Sequence, residues 1–276
     1  MIRSSACWVL SLGVAALVPA EASSDGLFRG SRAVLPTPHL DVAYMKDPRG
    51  SAVANVSIVG FYYPSHDIKV DTVCGAPFLG NFWAPAIIED FAPPNHASDP
   101  HTFKCAEACY WASQWWDHAS EFEGKNGQEV FDLAKSLRAK GLPPDPTFGG
   151  FGTAWRMMQV ILRKKFRKGS NLAAGLLATK DAYLVEHQEG HDSDNQWSDF
   201  CDGTGENWLG LQLMVLRDEL RGDGAAGWTA LASSAYDLES GAPRAGRATW
   251  LEGVGRAAAA LNGALPYTCP PRTVHI

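Results

Sequence analysis

The stretch WSDFCDGTGENWLGLQLM (197–214) joins an acidic, aromatic loop to the start of an amphipathic helix. Leucines recur at helical spacing after the loop, which predicts a helix from Glu206 to Arg221 with one buried face. A helix start normally favours an anion, yet Asp199, Asp202 and Glu206 make this loop acidic. Such a loop would repel a phosphate and suits a sugar, because carboxylates accept hydrogen bonds from hydroxyl groups.

The segments around this loop mix helical and strand patterns without a regular β–α repeat. Branched and aromatic residues predict strands at 56–63, 86–89 and 183–187. Periodicity and capping residues predict helices at 105–118, 127–140, 153–168 and 171–178. The mixture predicts an α+β fold, a compact and helix-rich domain with a few short strands.

The predicted domain covers residues 56–222 and has a segment on either side. Residues 23–55 are interpreted as an N-terminal arm, and residues 223–276 as an Ala/Gly-rich extension with one helix near 248–263. At the start, Arg3, an apolar run at 6–18 and a small-x-small site predict a signal peptide at 1–22. We expect a secreted or lumenal protein that does not bind membranes after cleavage; an uncleaved anchor or an organelle-targeting leader is the alternative.

Charge and cysteine content narrow the function further. The 24 basic and 30 acidic residues give a net charge of −6, which argues against general nucleic-acid binding. Five cysteines follow the predicted leader, an odd number that predicts one or two disulfides and at least one free thiol. The pairing stays open, and so does the oligomeric state. Cys105 and Cys109, one helical turn apart, are interpreted as small buried residues.

Two further patterns are given structural interpretations. The loop HQEGHDSDNQWSDFCDG (187–203) lacks the glycine and the glutamate of a calcium-binding loop, and its histidines lie outside a helix. We therefore predict no metal site. The run RKKFRK (163–168) is interpreted as a solvated helix end, where cations offset the negative pole of the helix.

The predicted helix at 105–118 carries one acid near its start, Glu107. At 100° per residue, Glu107 shares a face with Tyr110, Trp111, Gln114 and His118. A carboxylate beside aromatic rings suits a pocket for a sugar or base, or else an acid that favours the helix dipole beside packed rings. Carboxylates also stabilise the cation that develops when a bond at the anomeric carbon breaks. Glu107 and Asp199 could form such a pair.

Five motifs resemble, in this order, those of the NADAR family, which includes the YbiA-like proteins. They are LGNFWAPAI (79–87), TFKCAEACYWASQW (102–115), FGTAWRMMQVILRKKF (151–166), LLATKDAYLVEH (176–187) and WSDFCDGTGENWLGLQLMVLRDEL (197–220). The resemblance covers about residues 60–222 and implies a hydrolase of N-glycosyl bonds without a cofactor. Its implied substrates are ribosylamino-pyrimidine intermediates of riboflavin biosynthesis or ADP-ribose attached to guanine.

The resemblance, with the face and loop above, gives the candidate site. Glu107 and Asp199 are the catalytic candidates, and the substrate-binding candidates are Asn81, Phe82, Trp111, Asp181, Trp197, Asp202 and Asn207. Gln114 and Glu206 stand where the family has lysines. The two missing cations weaken the expected grip on a phosphorylated substrate. The alternative function is therefore a non-catalytic module that binds ADP-ribose or another nucleotide.

Overall fold

The computed structural model describes residues 35–50, 55–63, 68–191, 194–222 and 227–271. The strands are β1 (Ala43–Lys46), β2 (Asn55–Phe61), β3 (Ile88–Phe91), β4 (His101–Phe103) and β5 (Tyr183–Glu186). The helices are α1 (Lys69–Cys74), α2 (Ala106–Ala112), α3 (Ala119–Phe122), α4 (Gly127–Ala139), α5 (Ala154–Lys165), α6 (Asn171–Ala178), α7 (Trp208–Arg221), α8 (Trp228–Ala235) and α9 (Arg247–Ala264). Short 3-10 turns occur at Pro77–Leu79, Pro94–His96 and Trp116–His118. The predicted α+β class is confirmed.

The larger sheet has the order β1-β2-β5, with β2 antiparallel to β1 and parallel to β5. The parallel register puts Ile58 beside Tyr183 and Phe61 beside Glu186. The carboxyl ends of β2 and β5 therefore meet at one edge of the sheet. Side chains that follow these two strands gather there, as ligand-binding groups do in open sheets with parallel strands.

Helix α7 packs directly along β5, all of whose residues are buried. Gly210 makes this contact possible, because a Cβ atom there would lie 2.2 Å from the carbonyl oxygen of Leu184. Any larger side chain would push α7 away from the strand. The glycine in the NWLG motif therefore serves helix–strand packing.

The helices after residue 227 contribute to the same core. Trp228 and Trp250 are each 1% exposed, and both rings pack against Tyr183 in β5 at 5.4 Å between centroids. A disulfide joins Cys201 in the acidic loop to Cys269 beyond α9. The predicted C-terminal extension thus packs against the sheet and is covalently tied to the acidic loop.

Several helices begin where their capping residues predict. The side chains of Asn126, Thr153 and Ser170 accept hydrogen bonds from backbone N–H groups at the starts of α4, α5 and α6. The helix predicted over 105–118 instead ends at Ala112. Ser113 Oγ donates to the Cys109 carbonyl (2.8 Å), and a 3-10 turn follows. Ser113 and the turn together replace the predicted last turns of that helix.

Strand β1 lies within the predicted N-terminal arm, and α8 within the predicted extension; neither was expected. The predicted signal peptide lies outside the described residues. Cys74, Cys105 and Cys109 are free and buried, in agreement with the expected left-over thiols. Among the residues that are described, no helix is both long and apolar enough to cross a bilayer.

Candidate active site

A buried lysine fixes the loop that carries two predicted site residues, Asn81 and Phe82. Lys165 Nζ donates to the carbonyl oxygens of Leu79 (3.2 Å) and Gly80 (2.7 Å). The next carbonyl, that of Asn81, accepts from the Glu107 N–H at 3.1 Å. The loop is thus held from one side by α5 and is bonded on the other to the first turn of α2.

Lys165 corrects the interpretation of residues 163–168 as a solvated helix end. Its side chain is only 2% exposed, and this burial lowers the pKa of Lys165 to about 7. The signal was present in the sequence, because Lys165 follows Ile161 and Leu162 at helical spacing on the apolar stripe. The solvated interpretation fits Arg163, which is about half exposed and pairs with Glu219.

The Glu107 carboxyl group is the central feature of the site. Burial and, to a smaller extent, the nearby Asp194 carboxylate raise its pKa, a hydrogen bond from Trp111 opposes both, and the resulting pKa is about 7. Trp111 Nε1 donates to Glu107 Oε1 at 2.6 Å. The residue still keeps partial solvent contact. Glu107 can therefore hold or release a proton near neutral pH and is open to a small molecule.

One aromatic wall of the site joins α2 to the acidic loop. The Tyr110 ring meets Trp111 at 5.3 Å and Trp197 at 6.0 Å, edge to face in both cases. The Trp197 backbone N–H donates to Asp194 Oδ1 (3.0 Å), which fixes the turn. The structure thus brings Trp197 to the same face as Glu107, from a distant segment. Asp194 was missed by the sequence reasoning.

A second aromatic wall follows strand β2. The rings of Tyr63 and Phe82 are 4.1 Å apart, and the Tyr63 hydroxyl donates to Gln128 Oε1. Burial and the negative charge of Glu107 raise the pKa of Tyr63 to about 12. Phe82 lies over Gly127, where a Cβ atom would be 2.2 Å from the ring. Phe82 therefore lies in the same part of the molecule as Glu107, as the motifs predicted.

The predicted partner of Glu107, Asp199, has a different setting. Asp199 is fully buried, and its Oδ2 accepts from His187 Nδ1 at 2.5 Å. Its Oδ1 accepts from the N–H groups of Cys201 (2.9 Å) and Gln188 (3.3 Å). With both oxygens bonded inside the fold, the predicted direct contact with a substrate does not fit this arrangement. The carboxylate that acts on Glu107 is Asp194.

Asn207 also has internal partners. It is fully buried, its Nδ2 donates to the Leu184 carbonyl (2.9 Å), and its Oδ1 accepts from the Glu186 N–H (3.0 Å). Both ends of the amide are therefore bonded to the main chain of β5. Asn207 holds the start of α7 against the strand, and the predicted contact with substrate does not fit.

Asp181 and Asp202 lie outside the aromatic walls. Asp181 precedes β5, at the edge of the sheet opposite to the carboxyl ends, and pairs with Arg49 at 2.7 Å. Asp202 bonds to Thr204 and lies 3.2 Å from His191 Nε2. Each carboxylate is engaged in its own local turn or ion pair.

The two positions that lack a family lysine are also occupied. Glu206 pairs with Arg247 at the start of α9 and accepts from the Tyr236 hydroxyl, so position 206 faces the C-terminal helices. Gln114 is 6% exposed and donates to the Tyr110 carbonyl at 3.3 Å. The two side chains that replace these lysines are therefore each bonded within the fold.

The described residues contain no group of three His, Cys, Asp or Glu side chains placed to hold a metal ion. What they form is a site with one carboxylic acid of raised pKa, a second carboxylate and two aromatic walls. Aromatic faces suit a planar ring, and carboxylates suit sugar hydroxyls or a developing positive charge. Such a set of groups is compatible with a ring joined to a sugar.

Comparisons with known proteins agree with this interpretation. No family model matches the chain. N-glycosidase YbiA of Shigella boydii serotype 4 and that of Escherichia coli K12 are each 46% identical to it over 65 residues, 24% of this chain and 39% of the relative. A riboflavin biosynthesis protein of Vibrio vulnificus is 45% identical over 127 residues, 44% of this chain and 34% of the relative.

The chain thus spans between 34% and 39% of the length of these curated relatives. The NMR structure of E. coli YbiA matches with a TM-score of 0.43 and 28% identity, over 60% of this chain and 86% of that one. The sequence matches confirm the predicted resemblance: the chain is YbiA-like in the part that they cover.

Proposed function

We propose that this protein hydrolyses the bond between a nitrogen and ribose in a nucleotide-like substrate. The observation that carries the proposal is Glu107, a partly accessible carboxylic acid with a pKa of about 7 between aromatic walls. An acid with its pKa near the working pH is suited to proton transfer. The names of the relatives, N-glycosidase YbiA, support the same class of reaction.

In the proposed reaction, protonated Glu107 donates its proton to the departing nitrogen as the bond to the anomeric carbon breaks. The sugar develops oxocarbenium character, which the Asp194 carboxylate stabilises from nearby. Water then attacks the anomeric carbon, and ionised Glu107 takes up its proton. The products are the free base and a ribose, and Glu107 is protonated again.

The aromatic walls supply the binding surface for the leaving base. Trp197 and Tyr110 offer ring faces and edges on the α2 side, and Phe82 does so on the β2 side. A purine or pyrimidine fits such walls, so the substrate is a ribosylamino-pyrimidine or an ADP-ribosylated guanine. Asp199 and Asn207 act as positioning residues, since they fix the loop of Trp197 and the start of α7.

The first test is Glu107→Gln, which keeps the shape of the side chain and removes the transferable proton. Hydrolysis of ribosylamino-pyrimidine phosphates and of ADP-ribosylated guanosine is followed by mass spectrometry. We expect kcat to fall about 10²- to 10⁴-fold. Glu121→Gln is the matched control, because Glu121 is exposed and pairs with His118 on the surface.

A variant with parental kcat would remove Glu107 from the reaction. Absence of turnover in the unaltered protein, together with tight binding of ADP-ribose in calorimetry, would instead favour the binding module.

A further inference from the structure

The helix α4 places two cations beside the aromatic wall of the site. The Arg138 guanidinium lies 5.1 Å from the Trp111 ring centroid and 5.4 Å from that of Trp115. One turn earlier, Lys135 Nζ lies 4.4 Å from the Phe131 ring, which in turn packs against Trp111. These cations were not among the residues singled out from the sequence.

Trp111 connects Arg138 to the reacting group. The indole Nε1 donates to the Glu107 carboxyl group, while the guanidinium lies over the ring. The cation and the acid are therefore separated by one indole ring. In a ribosyl phosphate the anomeric carbon and the 5′ oxygen are likewise set apart, by the ring oxygen, C4′ and C5′ of the sugar.

Arg138 is exposed, and within the described segments it has neither an ion pair nor a hydrogen-bond acceptor. Arg163 and Arg244, which are also exposed, are in contrast paired, with Glu219 and Asp237. Stacking on an indole holds a guanidinium in place and leaves its N–H groups free for an oxyanion. An anion bound there gives the guanidinium N–H groups an acceptor.

The charge of the site also calls for a cation at this position. Glu107 and Asp194 make the centre of the site acidic, and the whole chain has a net charge of −6. A phosphorylated substrate is repelled by such a centre unless a cation holds its phosphate at a distance from the carboxylates. Positions 114 and 206 do not supply that cation, because they carry Gln114 and Glu206.

We propose that Arg138, assisted by Lys135, binds the phosphate of a 5′-phosphorylated ribosyl substrate while the anomeric carbon lies at Glu107. The proposal rests on the proposed function and narrows it to substrates with a phosphate or pyrophosphate on the 5′ side of the ribose. Arginine suits this role, because its planar fork donates two parallel hydrogen bonds to a phosphate.

The test compares Arg138→Gln with the unaltered protein on a phosphorylated N-ribosyl substrate and on its dephosphorylated form. We expect KM for the phosphorylated form to rise about 10- to 100-fold, as the loss of hydrogen bonds to a charged group predicts. KM for the dephosphorylated form and kcat for both stay unchanged. Arg138→Lys keeps the charge without the fork and is expected to restore part of the affinity.

The matched control is Arg167→Gln, since Arg167 is 76% exposed and lies beyond α5, with its contact to Glu89 at 3.9 Å. Equal KM values for both substrate forms, or an equal effect of Arg138→Gln on both, overturn the phosphate role and leave the proposed hydrolysis standing. Loss of the proposed function shows differently, as no turnover of either form. Calorimetry with ADP-ribose then still tests Arg138: an unchanged Kd in Arg138→Gln contradicts the inference.

Discussion

Glu107 and Asp199 are two acids that the sequence pairs and the structure treats differently. Glu107 has one N–H donor, from Trp111, and part of its surface meets solvent. Asp199 is fully buried and has three donors, from His187, Cys201 and Gln188. A carboxylate with a full set of donors is bonded on both oxygens inside the fold. One with a single donor and a route to solvent is available for proton transfer.

The comparison separates a reacting acid from a positioning acid by their hydrogen-bond partners. What distinguishes them is the number of donors and the access to solvent, neither of which is visible in a motif. The predictions below test that distinction, from the largest expected effect to the smallest.

Removing Asp199 should act on stability. Asp199→Ala leaves His187 and two N–H groups buried without their acceptor, and loss of one partner of a buried pair costs about 3 to 5 kcal/mol. We expect that loss in the free energy of unfolding, measured with urea. Asp202→Ala is the control: its carboxylate is 29% exposed, and an exposed ion pair contributes about 1 kcal/mol or less. If Asp199→Ala is as stable as the parent but inactive, Asp199 takes part in the reaction itself.

Local patterns explain how much of the fold the sequence predicts. The helices that begin at Thr153 and Ser170 were predicted because periodicity and capping agree within one segment. Strand β1 was missed because four residues give too short an alternation, and α8 because alanine and serine mark no face. Patterns within one segment do not predict which distant segments will pair with one another.

The site shows the same limit. Glu107, Trp111 and Trp197 could be found from one helical face and one motif, since their side chains meet through Tyr110. Asp194 could not, because its effect on Glu107 depends on how a distant loop folds back onto α2. The motif residues Asp199 and Asn207 were assigned to substrate although they bond to the protein itself. A motif marks a residue as required without stating what it contacts.

Glu107 should impose a pH dependence on stability that Glu107→Gln removes. The pKa of Glu107 rises from 4.5, the ordinary value for glutamate, to about 7 in the folded protein. The contribution of this raised pKa to the free energy of unfolding is thus fully present below pH 4.5 and is lost as the pH rises through 7. At pH 8 the variant should be more stable than the parent, by on the order of 1 to 3 kcal/mol after allowance for solvent contact.

Urea unfolding at pH 5 and pH 8 measures this difference, with Glu121→Gln as the exposed control. If Glu107 reacts and its burial opposes its ionisation, Glu107→Gln should show both this gain in stability and the loss of activity. If Glu107→Gln is less stable than the parent at pH 8, the carboxylate serves the fold, as Asp199 does, and the contrast between the two acids disappears.

Asp194→Asn should give the smallest effect, a shift in the pH dependence of catalysis. Asparagine keeps an oxygen that accepts from the Trp197 N–H, so the turn is retained while the negative charge near Glu107 is removed. The pKa of Glu107 falls, but burial, the larger cause, keeps it above 4.5. Because the protonated acid acts first, kcat declines above this pKa, and its midpoint should move down by about one pH unit or less. Asp202→Asn, whose carboxylate bonds to Thr204, should leave the midpoint in place. If the midpoint for Asp194→Asn stays at the parental pH, the two carboxyl groups do not act on one another. The raised pKa of Glu107 is then due to burial alone.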